Sequence, residues 1–116
     1  MKPLENREDI EMLVRLFYER VQSDDLLAPL FKHVNWPDHL PVMYNFWCSL
    51  ILGDFSYQGQ PFAKHLPLQL TQEHFTRWLH LFHQTVQEHY SGELAEEIKG
   101  RASTIAKVWQ HKLGLT

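Results

Sequence analysis

The residue best suited to chemistry is His65, which lies in a short segment between Pro61 and Pro67. A neutral imidazole is a good ligand for a cofactor metal, and its second ring nitrogen can donate to a nearby carbonyl, which fixes the ring orientation. Apolar, aromatic-rich helical patterns precede and follow this segment. Taken alone, such a histidine is more often a partly exposed loop residue, so the rest of the sequence decides its interpretation.

Two aromatic residues, Tyr18 and Trp78, bring a polar group to the apolar side of a predicted helix. The Tyr18 hydroxyl donates and accepts hydrogen bonds, whereas the Trp78 indole N–H only donates. A donor of this kind is worth more in a dry pocket than in water. The alternative for both residues is ordinary core packing, with the Tyr18 hydroxyl reaching water.

Helical periodicity indicates which elements position these residues. The first helix is predicted over about 7–23, with Asn6 as its cap. Residues 26–31 form an apolar turn that is too short for a full helix. A second helix is predicted to start at His39, with Asp38 as its cap and Pro41 in its first turn, where the missing amide hydrogen costs little.

The C-terminal half predicts two more helices. Residues 61–66 form at most a short helix, and Thr71 caps a strongly periodic stretch that contains Phe75, Trp78 and Phe82. Ser91 and Gly92 end that helix and open the last one. No segment alternates with a period of two, so we expect an all-α protein without a sheet.

Composition bounds the class of protein. The chain has 116 residues, of which 44% are hydrophobic and 13% aromatic, and we expect a single domain over 1–116. Its net charge is −3 and its basic residues are scattered, which argues against nucleic acid as a partner. The single cysteine, Cys48, excludes an internal disulfide and fits a reducing compartment. No signal peptide or membrane span is evident, so we expect a soluble, cytoplasmic protein without a membrane partner.

Five short motifs, in order, make the sequence similar to a known family, the truncated haemoglobins of group III. The resemblance covers about residues 7–112, and it is carried by the order and spacing of common residues. The motifs are Phe17-Tyr18-Glu19-Arg20-Val21, Ala28-Pro29-Leu30-Phe31, Asn45-Phe46-Trp47, Gly59-Gln60-Pro61 followed by His65, and Phe75 to Phe82 with Trp78.

The resemblance implies a two-over-two helical sandwich around haem b, with His65 as the proximal ligand of the iron. It further implies that Tyr18 and Trp78 are distal donors to a bound diatomic ligand, and that His39 controls access to the iron. A solvent-exposed histidine near a helix cap is the alternative for His39, and Pro41 departs from the family pattern. The expected haem-lining residues are Phe31, Met43, Phe46, Trp47 and Phe75.

Other basic and metal-ligating residues carry weaker expectations. Lys64 and Arg77 are the basic residues nearest the predicted haem segments, so either is a candidate partner for a haem propionate. The histidines His74, His80, His83 and His89 fall largely outside the buried face of their helix, where we expect a solvated surface. His80 and His83 are three residues apart, but no third ligand accompanies them.

The functional expectation is a haem protein that binds dioxygen tightly, together with other diatomics such as NO and CO. Two distal donors predict slow release, which suits redox chemistry on nitric oxide or peroxide better than transport. Whether the protein is an enzyme stays open; nitric oxide dioxygenase and peroxidase-like activities are the reactions considered, with a reductase as electron donor. The alternative is a cofactor-free helical interaction module, whereas a haem sensor would need an output domain.

Overall fold

The structure, a computed structural model, describes residues 2–57, 59 and 69–115; the predicted ligand His65 and the predicted short helix around it therefore lie outside the described residues. Within the described ranges, the predicted all-α class is confirmed by four long helices. These are α1 (Arg7–Ser23), α2 (Trp36–Leu52), α3 (Gln72–His89) and α4 (Glu93–Lys112). The apolar turn after α1 contains a short 3₁₀ helix, Ala28–Phe31.

Local sequence explains why α1 starts and ends where it does. The Asn6 side chain accepts from the Asp9 amide at 3.0 Å, and the Asp9 carboxylate accepts from the Asn6 amide at 3.3 Å. This reciprocal capping box satisfies donors that the first helical turn leaves free. The backbone becomes extended at Asp24, which ends the helix. The predicted cap and bounds of α1 are both confirmed.

The predicted start of α2 is wrong. The helix begins at Trp36, and its cap is Asn35, whose side chain accepts from the Asp38 amide. Asp38 is therefore a first-turn residue rather than the cap. Pro41 lies inside the helix rather than in its first turn. The sequence contained two plausible caps three residues apart, and Pro37 is equally compatible with the first turn that is observed.

The expectation of no sheet is also corrected, on a small scale. Residues Lys2–Pro3 (β1) pair in parallel with Tyr90–Ser91 (β2), which connects α3 to α4. Segments of two residues are too short to show alternation, so their pairing was not visible in the sequence. The pairing ties the N-terminus to the junction of α3 and α4.

The helices pack with α1 against α2 and α3, and with α3 against α4. Gly53 ends α2 at a φ of +68°, in the left-handed region that favours glycine. The core is formed by apolar side chains from all four helices. Its largest fully buried members include Ile10, Leu13, Phe17, Leu27, Trp47, Phe82 and Ile98.

Candidate functional site

A cavity of about 250 Å³ lies among the four helices and is lined mainly by aromatic and aliphatic side chains. Its described walls come from every long helix and from the 3₁₀ turn. The lining residues are Tyr18, Leu27, Leu30, Phe31, Val34, His39, Val42, Met43, Phe46, Trp47, Tyr57, Leu70, His74, Phe75, Trp78, Ile105, Ala106 and Trp109.

The structure brings together every predicted site residue that it describes. The predicted distal residues Tyr18, His39 and Trp78 line the cavity. So do the residues predicted to contact a cofactor, namely Phe31, Met43, Phe46, Trp47 and Phe75. The predicted proximal ligand His65 lies outside the described residues, so its role stays a prediction.

Tyr18 is deeply placed in this wall, with only 4% of its surface exposed. It is surrounded by rings: the centroid distances are 4.8 Å to Phe17, 5.3 Å to Trp36 and 6.3 Å to Phe31. Burial raises the pKa of the Tyr18 hydroxyl well above its ordinary value, and the hydrogen bond with Trp78 opposes that change. Tyr18 therefore stays protonated and able to donate.

Trp78 approaches the same place from α3. Its ring is stacked on Phe82 at a centroid distance of 5.6 Å and meets Phe17 edge-on at 5.7 Å. Its indole N–H can only donate, so in the hydrogen bond with Tyr18 the hydroxyl oxygen of Tyr18 is the acceptor. This arrangement leaves the Tyr18 proton available for a further acceptor.

His39 lies in the first turns of α2, beside the rings of Tyr18 and Trp36. The centroid of its ring lies 6.4 Å from that of the Tyr18 ring and 5.5 Å from that of the Trp36 ring, and its plane is near-perpendicular to both. The imidazole is half-buried at the cavity wall. Because α2 starts at Trp36, the position of His39 is set by helical backbone rather than by a free end.

Trp47 and Cys48 are adjacent buried residues of α2, of which Trp47 also lines the cavity. Trp47 is 1% exposed and stacks on Phe82 at 4.9 Å; among the described residues, nothing accepts a hydrogen bond from its buried indole nitrogen. Cys48 is fully buried, and that burial raises the pKa of its thiol to about 11. A thiol that stays protonated and enclosed is unreactive.

Some cavity residues were missed in the sequence. His74 was assigned to a solvated face, yet it lines the cavity four residues before Trp78, on the same side of α3. That spacing was the signal that could have found it. The other lining residues not predicted are Leu27, Leu30, Val34, Val42, Tyr57, Leu70, Ile105, Ala106 and Trp109.

Arg77, one of the two residues suggested as a propionate partner, forms an ion pair outside the cavity lining. Its guanidinium donates to the Asp24 carboxylate at 2.6 Å, and Asp24 also accepts from the amides of Leu26 and Leu27. Arg77 thus joins α3 to the end of α1, and it is not a lining residue. Lys64, the other suggested residue, lies outside the described residues.

Other kinds of site find no support in the part of the chain described. His80 is exposed, while His83 interacts with the Lys99 carbonyl and the Ser103 hydroxyl, each at 3.1 Å. Over the ranges 2–57 and 69–115, no three His, Cys, Asp or Glu side chains are grouped so that they could hold a metal ion. None of the described helices combines the length and apolarity needed to cross a membrane.

The helices enclose an aromatic cavity with hydrogen-bond donors on its wall, an arrangement shared with the globins. The chain matches the bacterial-like globin family over residues 4–111. It is 37% identical to the group 3 truncated hemoglobin ctb of Campylobacter jejuni, over 93% of this chain and 91% of that protein. The crystal structure of the group III truncated hemoglobin from Campylobacter jejuni superposes with a TM-score of 0.90, covering 97% of this chain and 95% of that one.

The chain therefore belongs to the bacterial-like globin family, as a truncated haemoglobin of group III. Its predicted truncated-globin fold is confirmed. Membership implies a haem cofactor and haem-based binding of small diatomic gases. The described cavity fits such a group, because its apolar aromatic walls suit a flat hydrophobic ring and the donors of Tyr18 and Trp78 suit a polar ligand.

Proposed function

We propose that this protein holds haem b through His65 and binds dioxygen tightly, with Tyr18 and Trp78 as distal hydrogen-bond donors. The observation that carries the proposal is the meeting of two donors from different helices, a buried phenol and an indole, at the wall of a mainly apolar cavity. The Tyr18 proton is costly to bury without an acceptor, so its placement favours a polar ligand there.

Each residue has a distinct part in this proposal. The haem supplies the iron at which a diatomic ligand binds. Tyr18 would donate a hydrogen bond to such a ligand and keep its proton, while the Trp78 N–H orients the Tyr18 hydroxyl and reinforces its donation. His39 lies beside Tyr18 and Trp36, where a turn of its ring would change the space next to the Tyr18 hydroxyl.

Tight binding favours reaction over transport, because a ligand that leaves slowly is held long enough to be converted. We therefore propose redox chemistry on NO or peroxide, with a reductase that returns the iron to its ferrous form, in the cytoplasm. NO and CO are expected to bind at the same position as dioxygen. The polarity of the wall near Tyr18 supports this choice.

Haem uptake by the purified protein tests the proposal. The wild-type protein should show a strong Soret band and a melting temperature raised by haem through mass action. His65→Gly should lose most of the Soret intensity and regain it with added imidazole, whereas His111→Gly, at an exposed surface histidine, serves as the control. A colourless protein that melts at one temperature with and without haem would instead favour the cofactor-free helical module.

A further inference from the structure

The ring of His74 is held in one tautomer by the start of α3. Its Nδ1 lies 3.0 Å from the backbone nitrogen of Thr71, which donates to it, and 3.2 Å from the Thr71 hydroxyl. The His74 amide in turn donates to the Thr71 hydroxyl oxygen at 3.4 Å. A backbone N–H can only donate, so Nδ1 must be the unprotonated nitrogen. The neutral ring therefore carries its proton on Nε2.

The His74 ring belongs to the wall of the cavity. His74 is half-buried and lines the cavity together with Phe75 and Leu70. Among the described residues, none accepts a hydrogen bond from Nε2, although Nδ1 is fully engaged. The capping box thus fixes the ring while one donor remains unused at an apolar wall.

The described cavity wall offers few other partners for an anion. It contains neither lysine nor arginine, and the nearby Arg77 is occupied by Asp24 at 2.6 Å. His74 also lies in the first turn of α3, where the helix dipole favours negative charge. Haem b bears two carboxylates, and a partly buried carboxylate needs a donor. His74 is the described residue that combines these features.

We propose that His74 is a cofactor-binding residue whose Nε2–H donates a hydrogen bond to a haem carboxylate. The inference rests on the proposed function, since it requires haem in this cavity. The bond forms without proton transfer: the proton stays on Nε2, and Nδ1 keeps its bond from Thr71. His74 therefore couples the cap of α3 to retention of the cofactor.

Two substitutions separate this role from helix capping. His74→Gln and His74→Glu both keep a capping-box residue three positions after Thr71. Only Gln retains a donor, whereas Glu places a negative charge beside the carboxylate. The measurement is the rate of haem transfer from each loaded protein to an excess of an apoglobin acceptor, repeated with the dimethyl ester of haem.

His74→Glu should lose haem about tenfold faster than wild type, as expected for the loss of one charge-assisted hydrogen bond. The rate of haem loss from His74→Gln should stay within about threefold of the wild-type rate. In the dimethyl ester both propionates are neutral esters, so the ratio of the haem-loss rate of His74→Glu to that of wild type should fall to about one. Should the Glu variant not fold, His74→Met, which lacks a donor, takes its place, and loss at the wild-type rate would count against the inference.

Two results overturn the inference and leave the proposed function intact: equal haem loss from wild type and His74→Glu, or a ratio that persists with the dimethyl ester. Failure of the wild-type protein to take up haem would overturn both. In the loaded protein, the propionate bending band in resonance Raman spectra should shift in His74→Glu and stay in place in His74→Gln.

Discussion

Removal of the Tyr18 hydroxyl, in Tyr18→Phe, should speed the release of dioxygen strongly. The ring is 4% exposed and enclosed by Phe17 and Trp36 at 4.8 Å and 5.3 Å, so water cannot replace the lost donor. A hydrogen bond to a charged acceptor contributes about 1.5–3 kcal/mol. Since about 1.4 kcal/mol corresponds to a factor of ten, the dissociation rate should rise about 10- to 150-fold.

Two further variants make this prediction specific. Trp78 bonds to Tyr18, so the single substitution frees the indole N–H to replace part of the lost donation. The double variant Tyr18→Phe/Trp78→Phe should therefore release dioxygen faster still. Tyr44→Phe is the control: it removes a hydroxyl from a tyrosine that interacts with Arg15 and does not line the cavity. Its dioxygen dissociation rate should stay at the wild-type value.

Stopped-flow measurement of dioxygen displacement by CO from the ferrous protein gives these rates. A Tyr18→Phe rate within about twofold of wild type would refute the reasoning, because a hydrogen bond in so dry a site is worth more than that. Equal changes in Tyr18→Phe and Tyr44→Phe would also refute it, since they would show a general loosening of the fold.

Two predictions concern the stability of the fold. The hydrogen bond from Lys2, together with those from the Glu5 and Asn6 amides, holds the pKa of Asp9 below its ordinary value of 3.8. The ionised Asp9 carboxylate therefore stabilises the folded protein at pH values above its unfolded pKa. This stabilisation is lost as the pH falls through the lower pKa of the folded state. In urea titrations, the free energy of unfolding of Asp9→Asn should therefore be about 1 kcal/mol lower than that of wild type at neutral pH, and the difference should disappear in acid. A difference that stays constant across pH would contradict this. Arg7 donates to Asn45 and Asp54, which anchors residues 54–57 to α1 and α2. Arg7→Met should speed hydrogen exchange at the Tyr57 amide, which donates to the Ser49 hydroxyl at 2.7 Å, and leave that of Phe82 unchanged.

Local signals in the sequence were sufficient for much of the helical framework. The capping boxes Asn6/Asp9 and Thr71/His74 act over three residues, so the starts of α1 and α3 could be read directly. Helical periodicity likewise placed Tyr18 and Trp78 on inward faces. The start of α2 could not be read, because Asn35 and Asp38 are equally good caps and the choice between them depends on packing elsewhere in the fold.

By itself, therefore, the sequence determined which residues occupy the inward faces of the helices. Its resemblance to a known family indicated that these residues would hold a haem. Only the tertiary structure decided how residues far apart in the chain meet: Trp78 at the Tyr18 hydroxyl, Arg77 on Asp24, and His74 at the cavity wall. The physical reason is that helical periodicity reports burial but carries no information about which buried side chains share a cavity. That pairing arises only when α1, α2, α3 and α4 pack against one another.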